Sequence, residues 1–246
     1  MAIDEFLFHS LPEKEPQTTV RFYEWDKPTV SIGVSQEIDR VVNVQACREQ
    51  GIDIVRRMTG GKLVLHADEV TYSVCSSDTS AFTANLDGSY KRISEALVCG
   101  LKEMGLTPQL AGSTSEGYAR SHLPCFSQLA RNEIEIESKK ITGSAQKRKG
   151  IHFIQHGSIP LKNQGELLKK VSISSHPSHE IQAISLDQAL KKDISFTWVV
   201  EKLILGFKRY FFIDFKNDNL SEQEKRIILS IQKEKFENPL WTLSSK

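Results

Sequence analysis

Two adjacent glycines between two short apolar runs are the strongest local constraint on how this chain folds. The runs are Ile52 to Val55 and Leu63 to Leu65, and Gly60-Gly61 lie between them beside a threonine. We interpret the runs as strands and the segment between them as their connecting loop. Paired glycines cost backbone entropy on folding, and they allow bare main chain to approach a bound molecule closely. The segment is therefore either a ligand-binding loop or a plain hairpin turn.

The charge of the chain limits the kinds of molecule that it is expected to bind. Arg56 and Arg57 precede the glycines and, taken alone, indicate an anion such as phosphate. The whole chain of 246 residues has a formal net charge of only +1, which gives no general attraction to nucleic acid or to an anionic membrane. No apolar run approaches the roughly 18 residues of a membrane span. We expect neither a nucleic acid nor a membrane as partner.

The cysteines and histidines indicate a reducing environment and no metal. No C-x-x-C pair, disulfide framework or signal peptide is present, so a cytoplasmic protein with free thiols is expected. Metal is disfavoured because no H-E-x-x-H or zinc-type cysteine spacing occurs, and neither a P-loop nor G-x-G-x-x-G is found. The residues weighed here are Cys47, Cys75, Cys99, Cys125, His66, His122, His152, His156, His176 and His179.

Periodicity predicts alternating helices and strands without a linker, so one domain over residues 1–246 is expected. Capping boxes are predicted at Ser185 with Gln188 and at Ser221 with Glu224. The predicted helices cover 2–9, 44–50 and 89–104, with a further helical stripe over 199–207. The predicted strands cover 20–25, 29–34, 70–75, 134–136, 151–161 and 210–215, with a surface loop over 111–123.

A second concentrated stretch follows Lys139-Lys140. The segment Ile141 to Gln146 is small and hydroxyl-rich, and it reads as a turn. A lysine beside such a turn can place a cation and several main-chain N–H donors around one oxygen, which suits acyl or phosphoryl chemistry. The alternative is a solvated basic hairpin, since Lys147-Arg148-Lys149 comes next.

These stretches together resemble one known family. The pattern Arg56-Arg57-x-Thr59-Gly60-Gly61-x-x-Val64-x-His66, with Glu69 and Tyr72-Ser73, is similar to the glycine loop of lipoate-protein ligases and octanoyltransferases. Lys140-Ile-x-Gly143-Ser144-Ala145-Gln146-x-Arg148 and Gln155-His156-Gly157-Ser158-Ile159 resemble further motifs of that family. With Arg21 to Trp25, Ser31 to Gln36 and Trp241, the resemblance covers nearly the whole chain.

The resemblance implies a fold and a site. The implied fold is α/β (α+β), a mixed and largely antiparallel sheet flanked by helices, as in biotin and lipoate ligases. The glycine loop and the Lys140 turn would line a tunnel for a medium-chain acyl group, with Lys140 contacting the acyl carbonyl. The implied substrate-binding residues are Arg57, Thr59, Gly60, Gly61, His66, Tyr72, Gly143, Ser144, Ala145, Gln146, His156 and Gly157.

Two chemistries occur in this family. A ligase activates lipoate or octanoate with ATP and Mg²⁺, whereas an octanoyltransferase takes octanoate from acyl carrier protein, in one subgroup through a thioester on its own cysteine. Cys125-Phe126, followed by Glu133 and Lys140, resembles that subgroup. Many ligases also carry a C-terminal accessory domain, for which this chain has no room. The alternatives are an ATP-dependent ligase, with Cys125 as a bystander, and a non-catalytic acyl- or carrier-protein-binding member.

The transferase interpretation predicts a mechanism without a cofactor. Cys125 attacks octanoyl-acyl carrier protein while Lys140 favours the thiolate and stabilises the oxyanion. A lysine of a lipoyl-domain protein, or of the glycine-cleavage H protein, then takes the octanoyl group. Main-chain N–H groups of Gly60-Gly61 and Gly143-Ser144 would hold the acyl end. The basic residues Lys147, Arg148 and Lys149 would steer both acidic carrier proteins.

Overall fold

The computed structural model describes residues 1–83, 85–115, 123–128, 130–173 and 183–243. The helices of these ranges are α1 (Ala2–His9), α2 (Ile38–Val41), α3 (Val44–Glu49), α4 (Leu86–Lys102), α5 (Gly165–Val171), α6 (Leu186–Leu190), α7 (Phe196–Phe211), α8 (Glu222–Ile231) and α9 (Pro239–Leu243). The strands are β1 (Thr18–Tyr23), β2 (Thr29–Ile32), β3 (Asp53–Arg56), β4 (Val64–His66), β5 (Glu69–Ser76), β6 (Gln109–Leu110), β7 (Ile134–Ile136), β8 (Lys139–Lys140), β9 (Gly143–Lys149) and β10 (His152–Pro160).

A four-stranded antiparallel sheet in the order β1-β5-β10-β9 forms the framework. All of β5 is buried, because helices cover both faces of this sheet. On one face α4 and α7 pack through Leu97, Leu203 and Phe207, and on the other α1 contributes Phe8 beside Ile154. The sheet therefore lies between two helical layers, as the predicted α/β class requires.

Helices α4 and α7 cross at two glycines. A Cβ atom added to Gly206 would lie 2.2 Å from the main-chain nitrogen of Gly100, and one added to Gly100 would lie 2.9 Å from Cα of Leu203. Any side chain at the crossing would force the helices apart. The two glycines thus fix the close contact that covers the sheet.

A smaller sheet carries the glycine loop. Its order is β3-β2-β4, with β2 parallel to β3 and antiparallel to β4. Because β2 lies between β3 and β4, the two strands that flank Gly60-Gly61 do not pair with each other. The hairpin interpretation of that segment is therefore wrong, and the segment crosses over the end of β2.

A third sheet, in the order β6-β7-β8, brings Lys140 beside β7. The first and third sheets are antiparallel, and the smaller sheet has one parallel and one antiparallel pair, which confirms the predicted mixed and largely antiparallel fold class. The turn between β7 and β8 has positive φ at Glu137 and Ser138, so the predicted turn is present and ends one residue earlier than Lys139.

Two secondary-structure predictions are wrong. The turn predicted over Ile141 to Gln146 is replaced from Gly143 onward by a strand. Residues 143–149 form β9, because they pair with β10 from Gly143 to Lys149. The strand predicted over 210–215 is absent: Tyr210 and Phe211 end α7, Phe212 closes it in the left-handed conformation with φ 55°, and residues 213–215 have no regular secondary structure. The helical stripe of α7 thus outweighs the short apolar run that follows it.

Several local predictions are confirmed. Both capping boxes are present, at Ser185 with Gln188 and at Ser221 with Glu224. The predicted helices appear as α1, α3, α4 and α7, and the surface loop predicted over 111–123 falls partly outside the described residues. None of the helices in these ranges combines the length and apolar character that crossing a lipid bilayer requires.

Candidate active site

Cys125 and Lys140 meet in the interior. Cys125 begins a single 3₁₀ turn, and its main-chain N–H donates to the carbonyl of Leu63 at 2.9 Å, which ties this turn to the start of β4. Lys140 ends β8 with no exposed surface, and its Nζ lies 3.5 Å from Sγ of Cys125. The two residues predicted to be catalytic are therefore neighbours.

Glu133 compensates the buried charge of Lys140. Its Oε2 lies 2.6 Å from Nζ of Lys140 and accepts the main-chain N–H of Ala130 at 2.7 Å. Burial raises the pKa of the Glu133 carboxyl, although the Lys140 ammonium favours the charged form. A buried ammonium needs such a partner, because an uncompensated charge in the interior is strongly destabilising.

Main-chain oxygens complete the surroundings of the Lys140 ammonium. Nζ donates to the carbonyl of Cys125 at 2.7 Å and to that of Gln128 at 3.1 Å. With Glu133 these make three oxygen acceptors, as many as the protons on an ammonium group, and the Cys125 sulfur at 3.5 Å is a fourth, longer contact. Lys140 therefore acts on the Cys125 sulfur as a fixed positive charge.

Gly143 leaves room for the Cys125 sulfur. A Cβ atom at Gly143 would lie 2.9 Å from Sγ of Cys125 and 3.4 Å from the ring of Phe126. Gly157 on the neighbouring strand is equally confined, since its Cβ would lie 2.6 Å from the carbonyl oxygen of Gly143. Larger residues at either position would close the space beside the sulfur.

A cavity begins at Gly143 and extends over the β5–β10 pair. Seven predicted substrate-binding residues line it together with five further residues. The seven are Arg57, His66, Gly143, Ser144, Ala145, His156 and Gly157, and the others are Met1, Ser31, Val64, Thr71 and Ser158. The structure thus gathers residues from four separate motifs around one cavity.

Other predicted residues lie behind this lining. The Tyr72 hydroxyl is 2.6 Å from Oγ of Ser144, and Thr59 is 2.7 Å from Nε2 of His156. Gln146 does not reach the cavity and instead donates to Gln155 at 3.0 Å. Gly60 and Gly61 also lie outside the lining; a Cβ atom at Gly61 would lie 3.3 Å from Cβ of Ala145, whereas one at Gly60 would meet nothing within 4 Å.

Arg56 and Arg57 donate hydrogen bonds to main-chain carbonyls. Arg57 donates to the carbonyls of Gly60 at 2.9 Å and Lys62 at 2.7 Å, and so fixes the glycine loop. Arg56 is buried and donates to five carbonyls, those of Gly33, Val34, Gln36, Trp241 and Thr242. The phosphate indicated by these arginines alone is therefore replaced by main-chain oxygens, although Arg57 also lines the cavity.

His66 is part of a hydrogen-bonded chain at the polar end of the cavity. Its Nδ1 lies 2.6 Å from Oε1 of Glu69, and its Nε2 lies 2.7 Å from Oγ of Ser31. In the neutral tautomer that donates from Nδ1 to the carboxylate, Nε2 accepts from the serine hydroxyl. Glu69 also accepts from Thr71 and Ser158, and Trp25 stacks on the His66 ring. These contacts fix the ring orientation.

His156 connects the cavity to α1. Its Nδ1 lies 3.7 Å from a carboxylate oxygen of Asp4, and burial lowers the pKa of the imidazole despite that carboxylate. Burial alone would raise the pKa of Asp4, but His156, the N-terminal amine and Arg21 together hold it well below its usual range. At neutral pH the site therefore holds a neutral imidazole beside a charged carboxylate.

Lys62 and Gln128 are site residues to which sequence reasoning assigned no role. Lys62 is buried, and its Nζ donates to Oε1 of Gln128 at 2.8 Å. A lysine directly after the paired glycines and before an apolar run is a signal that could have identified Lys62. No comparable signal marks Gln128, whose importance depends on its contacts.

A second cavity lies on the other side of β4 and Phe126. It shares no lining residue with the first, and most of its surface is apolar, including Leu65, Phe126, Leu168 and Ile184.

Within the ranges that the structure describes, no cluster of three His, Cys, Asp or Glu side chains could hold a metal ion. His122, His176 and His179 lie outside the described residues.

Comparison with known proteins defines the class. Residues 1–208 match the model of the lipoyl protein ligase A/B catalytic domain, so the chain belongs to this family. Among its relatives, Octanoyltransferase LipM of Moorella thermoacetica is 35% identical over 92% of this chain and 86% of that protein. Octanoyltransferase LipM of Clostridioides difficile (strain 630) is 32% identical over 97% of this chain and 91% of that protein.

Solved structures agree on the fold. A lipoate-protein ligase A bound with ATP superposes with a TM-score of 0.85 and 24% identity, covering 100% of this chain and 93% of that one. The bi-partite lipoate protein ligase of Thermoplasma acidophilum gives a TM-score of 0.81 and 22% identity, covering 100% and 91%. At these identities the likeness concerns the fold alone.

Proposed function

We propose that this chain is an octanoyltransferase that works through a thioester on Cys125. It takes the octanoyl group from octanoyl-acyl carrier protein and attaches it to a lysine of a lipoyl-domain protein or of the glycine-cleavage H protein. The observation that carries the proposal is the distance of 3.5 Å between Sγ of Cys125 and Nζ of Lys140, beside the cavity. The octanoyltransferase relatives support the same assignment.

In the first half-reaction the Cys125 thiolate attacks the thioester carbonyl of the donor. A bond forms between Sγ and the carbonyl carbon, the bond from that carbon to the carrier sulfur breaks, and the carrier thiolate takes up the proton that Cys125 released. The Lys140 ammonium lies close enough to stabilise the negative charge on sulfur and on the tetrahedral oxyanion. Gly143 and Gly157 line the cavity that would receive the acyl group.

In the second half-reaction the neutral ε-amine of the acceptor lysine attacks the octanoyl-Cys125 thioester. The new C–N bond forms, the C–S bond breaks, and the proton lost by nitrogen returns to the Cys125 thiolate. An amide is more stable than a thioester, so the transfer needs no nucleotide. ATP and Mg²⁺ would be needed only if the chain were a ligase.

Basic residues at the end of β9 fit acidic carrier proteins. Lys147 and Arg148 are half-buried, whereas Lys149 is exposed. Arg148 is anchored by donating to Oγ of Ser89 at 2.7 Å, so the charge of Lys149 is the more accessible one. A positive surface of this kind raises the rate of association with an acidic partner.

Intact-protein mass spectrometry tests the proposal. Incubation with octanoyl-acyl carrier protein is expected to add one octanoyl group, which hydroxylamine removes and a lipoyl domain accepts. Cys125→Ala is expected to give neither adduct nor transfer, with Cys99→Ala as the matched control. Full transfer by Cys125→Ala would refute the thioester. Modification of a lipoyl domain only with free lipoate, ATP and Mg²⁺ would favour the ligase. Binding of the acyl group or the carrier protein without transfer would favour a non-catalytic role.

A further inference from the structure

Lys62 lies between the glycine loop and the turn that carries Cys125. Its carbonyl accepts from Arg57 at 2.7 Å, which fixes the main chain of the loop. Its side chain is only 7% exposed, and its Nζ donates to Oε1 of Gln128 at 2.8 Å. A long cationic side chain is rarely buried to this extent without a specific role.

Gln128 connects the two buried lysines. Its side-chain oxygen accepts from Lys62 at 2.8 Å, and its main-chain oxygen accepts from Lys140 at 3.1 Å. The other end of the same turn is tied to β4 by the bond from Cys125 to Leu63. The segment 125–128 is therefore held at both ends by residues of the glycine loop and β4.

We propose that Lys62 is a positioning residue of the Cys125 site: through Gln128 its ammonium group holds the 125–128 turn, and so holds Lys140 against the Cys125 sulfur. The proposal deepens the octanoyltransferase function and rests on it for the rate of acylation. The charge of Lys62 also interacts directly with Cys125, and the contact through Gln128 adds to this an effect on the position of Lys140.

The surroundings of Lys62 make its hydrogen bond to Gln128 sensitive to pH. The pKa of Lys62 is lowered to about 8, chiefly by burial and in part by the charge of Lys140, while Cys125 and Glu133 oppose the decrease. The group is thus charged below pH 8 and neutral above it. A neutral amine donates a weaker hydrogen bond than an ammonium group, so the turn is held less firmly above that pH.

Substitutions at both ends of the contact test the role. Acylation of Cys125 by octanoyl-acyl carrier protein is followed in single turnovers by intact mass. Lys62→Met is expected to lower the rate roughly tenfold or more, because a hydrogen bond to a charged group is lost. Gln128→Met, which keeps the main-chain oxygen, is expected to cause a similar loss. The double variant is expected to lose little more, since both changes break one contact.

Lys62→Arg separates charge from packing. Its guanidinium keeps the charge and the donor, so a rate within about threefold of the unmodified protein is expected at pH 7. At pH 9 Lys62→Arg is expected to be the faster of the two. Any of three results would overturn the proposal. The first is a Lys62→Met rate equal to that of the unmodified protein, and the second is a loss in the double variant equal to the product of the two single losses. The third is a ratio of the Lys62→Arg rate to the unmodified rate that does not change with pH.

Alkylation of the free enzyme separates this proposal from the proposed function. Iodoacetamide modification of Cys125, assigned by peptide mapping, needs no acyl donor. A decrease of its rate in Lys62→Met and Gln128→Met, but not in Lys62→Arg, supports the positioning role even if no octanoyl adduct forms. An adduct in the unmodified protein with equal alkylation in all variants overturns the positioning role alone.

Discussion

Sγ of Cys125 and Nζ of Lys140 lie 3.5 Å apart although 15 positions separate them in the chain. Two different sheets produce this contact. Lys140 ends β8 of the third sheet, whereas the Cys125 turn is bonded to Leu63, the residue directly before β4 of the smaller sheet. The contact therefore depends on how the sheets pack, and changes at their junction are expected to alter reactivity as well as stability.

Removing the carboxylate of Glu133 is expected to destabilise the fold. Glu133→Gln leaves the Lys140 ammonium buried without a countercharge, and loss of one partner of a buried pair costs about 3–5 kcal/mol. Urea denaturation at pH 7 measures the change in the free energy of unfolding. Glu135→Gln, two positions further along the chain in β7 and half-buried, is the matched control. Equal effects of the two changes would contradict the assigned role of Glu133.

Adding one methyl group at Gly143 is expected to block the Cys125 sulfur. The Cβ atom of Gly143→Ala would lie 2.9 Å from Sγ, so the cysteine must shift. A displacement of this kind lowers rates by up to about a hundredfold, and iodoacetamide alkylation of Cys125 measures it. Gly112→Ala, whose Cβ meets nothing within 4 Å, is the control. Unchanged alkylation in Gly143→Ala would show that the sulfur has another approach.

The two glycines of the loop are expected to differ in their tolerance of alanine. Gly61 has φ +87° and little space, so Gly61→Ala is expected to cost roughly 1–3 kcal/mol of unfolding free energy. Gly60→Ala has open space around its Cβ and is expected to change stability by less than about 1 kcal/mol. Thermal and urea unfolding measure both. The reverse order would mean that the loop has another conformation.

Stability is expected to fall as the pH decreases from 7.5 to 5. Burial lowers the folded-state pKa of His156, so below the ordinary histidine pKa of about 6.5 the unfolded chain binds a proton that the folded chain does not. The slope approaches about 1.4 kcal/mol per pH unit for one such group. His9, whose pKa burial also lowers, adds to it.

Substitution separates the two histidines. His156→Gln is expected to remove the larger part of the dependence of the unfolding free energy on pH, because His156 is the more deeply buried. His9→Gln is expected to remove the smaller part. The free energy of unfolding by urea, measured in half-unit steps of pH, gives each slope. An unchanged slope in His156→Gln would contradict the neutral buried imidazole.

Local sequence signals predicted most helices and strands correctly. The capping box at Ser221 and the apolar stripe of α7 depend on residues within a few positions of each other, and such patterns survive in almost any tertiary setting. The wrong strand at 210–215 shows the limit of this reasoning. A short apolar run fits a strand and a helix end equally well, and packing of α7 on α4 decided between them.

The resemblance to the family selected Cys125 and Lys140, but the surrounding contacts could not be predicted from it. Arg56 and Arg57 are the clearest case. Two arginines beside glycines indicate an anion, yet main-chain carbonyls take that place in the structure. For Arg57 two of these carbonyls belong to Gly60 and Lys62 of the same loop. Nothing within the motif shows which oxygens Arg56 will meet, because they belong to residues about 20 to 190 positions away.

The sequence by itself determined the class of fold, the family and the residues available for chemistry, because periodicity, capping and motif spacing are properties of neighbouring residues. Only the tertiary structure decided that Glu133 compensates Lys140, that Gln128 joins Lys62 to Lys140, and that Gly143 borders the Cys125 sulfur. Burial decides the strength of these charge contacts, and burial is set by segments that meet only when the sheets and helices pack together.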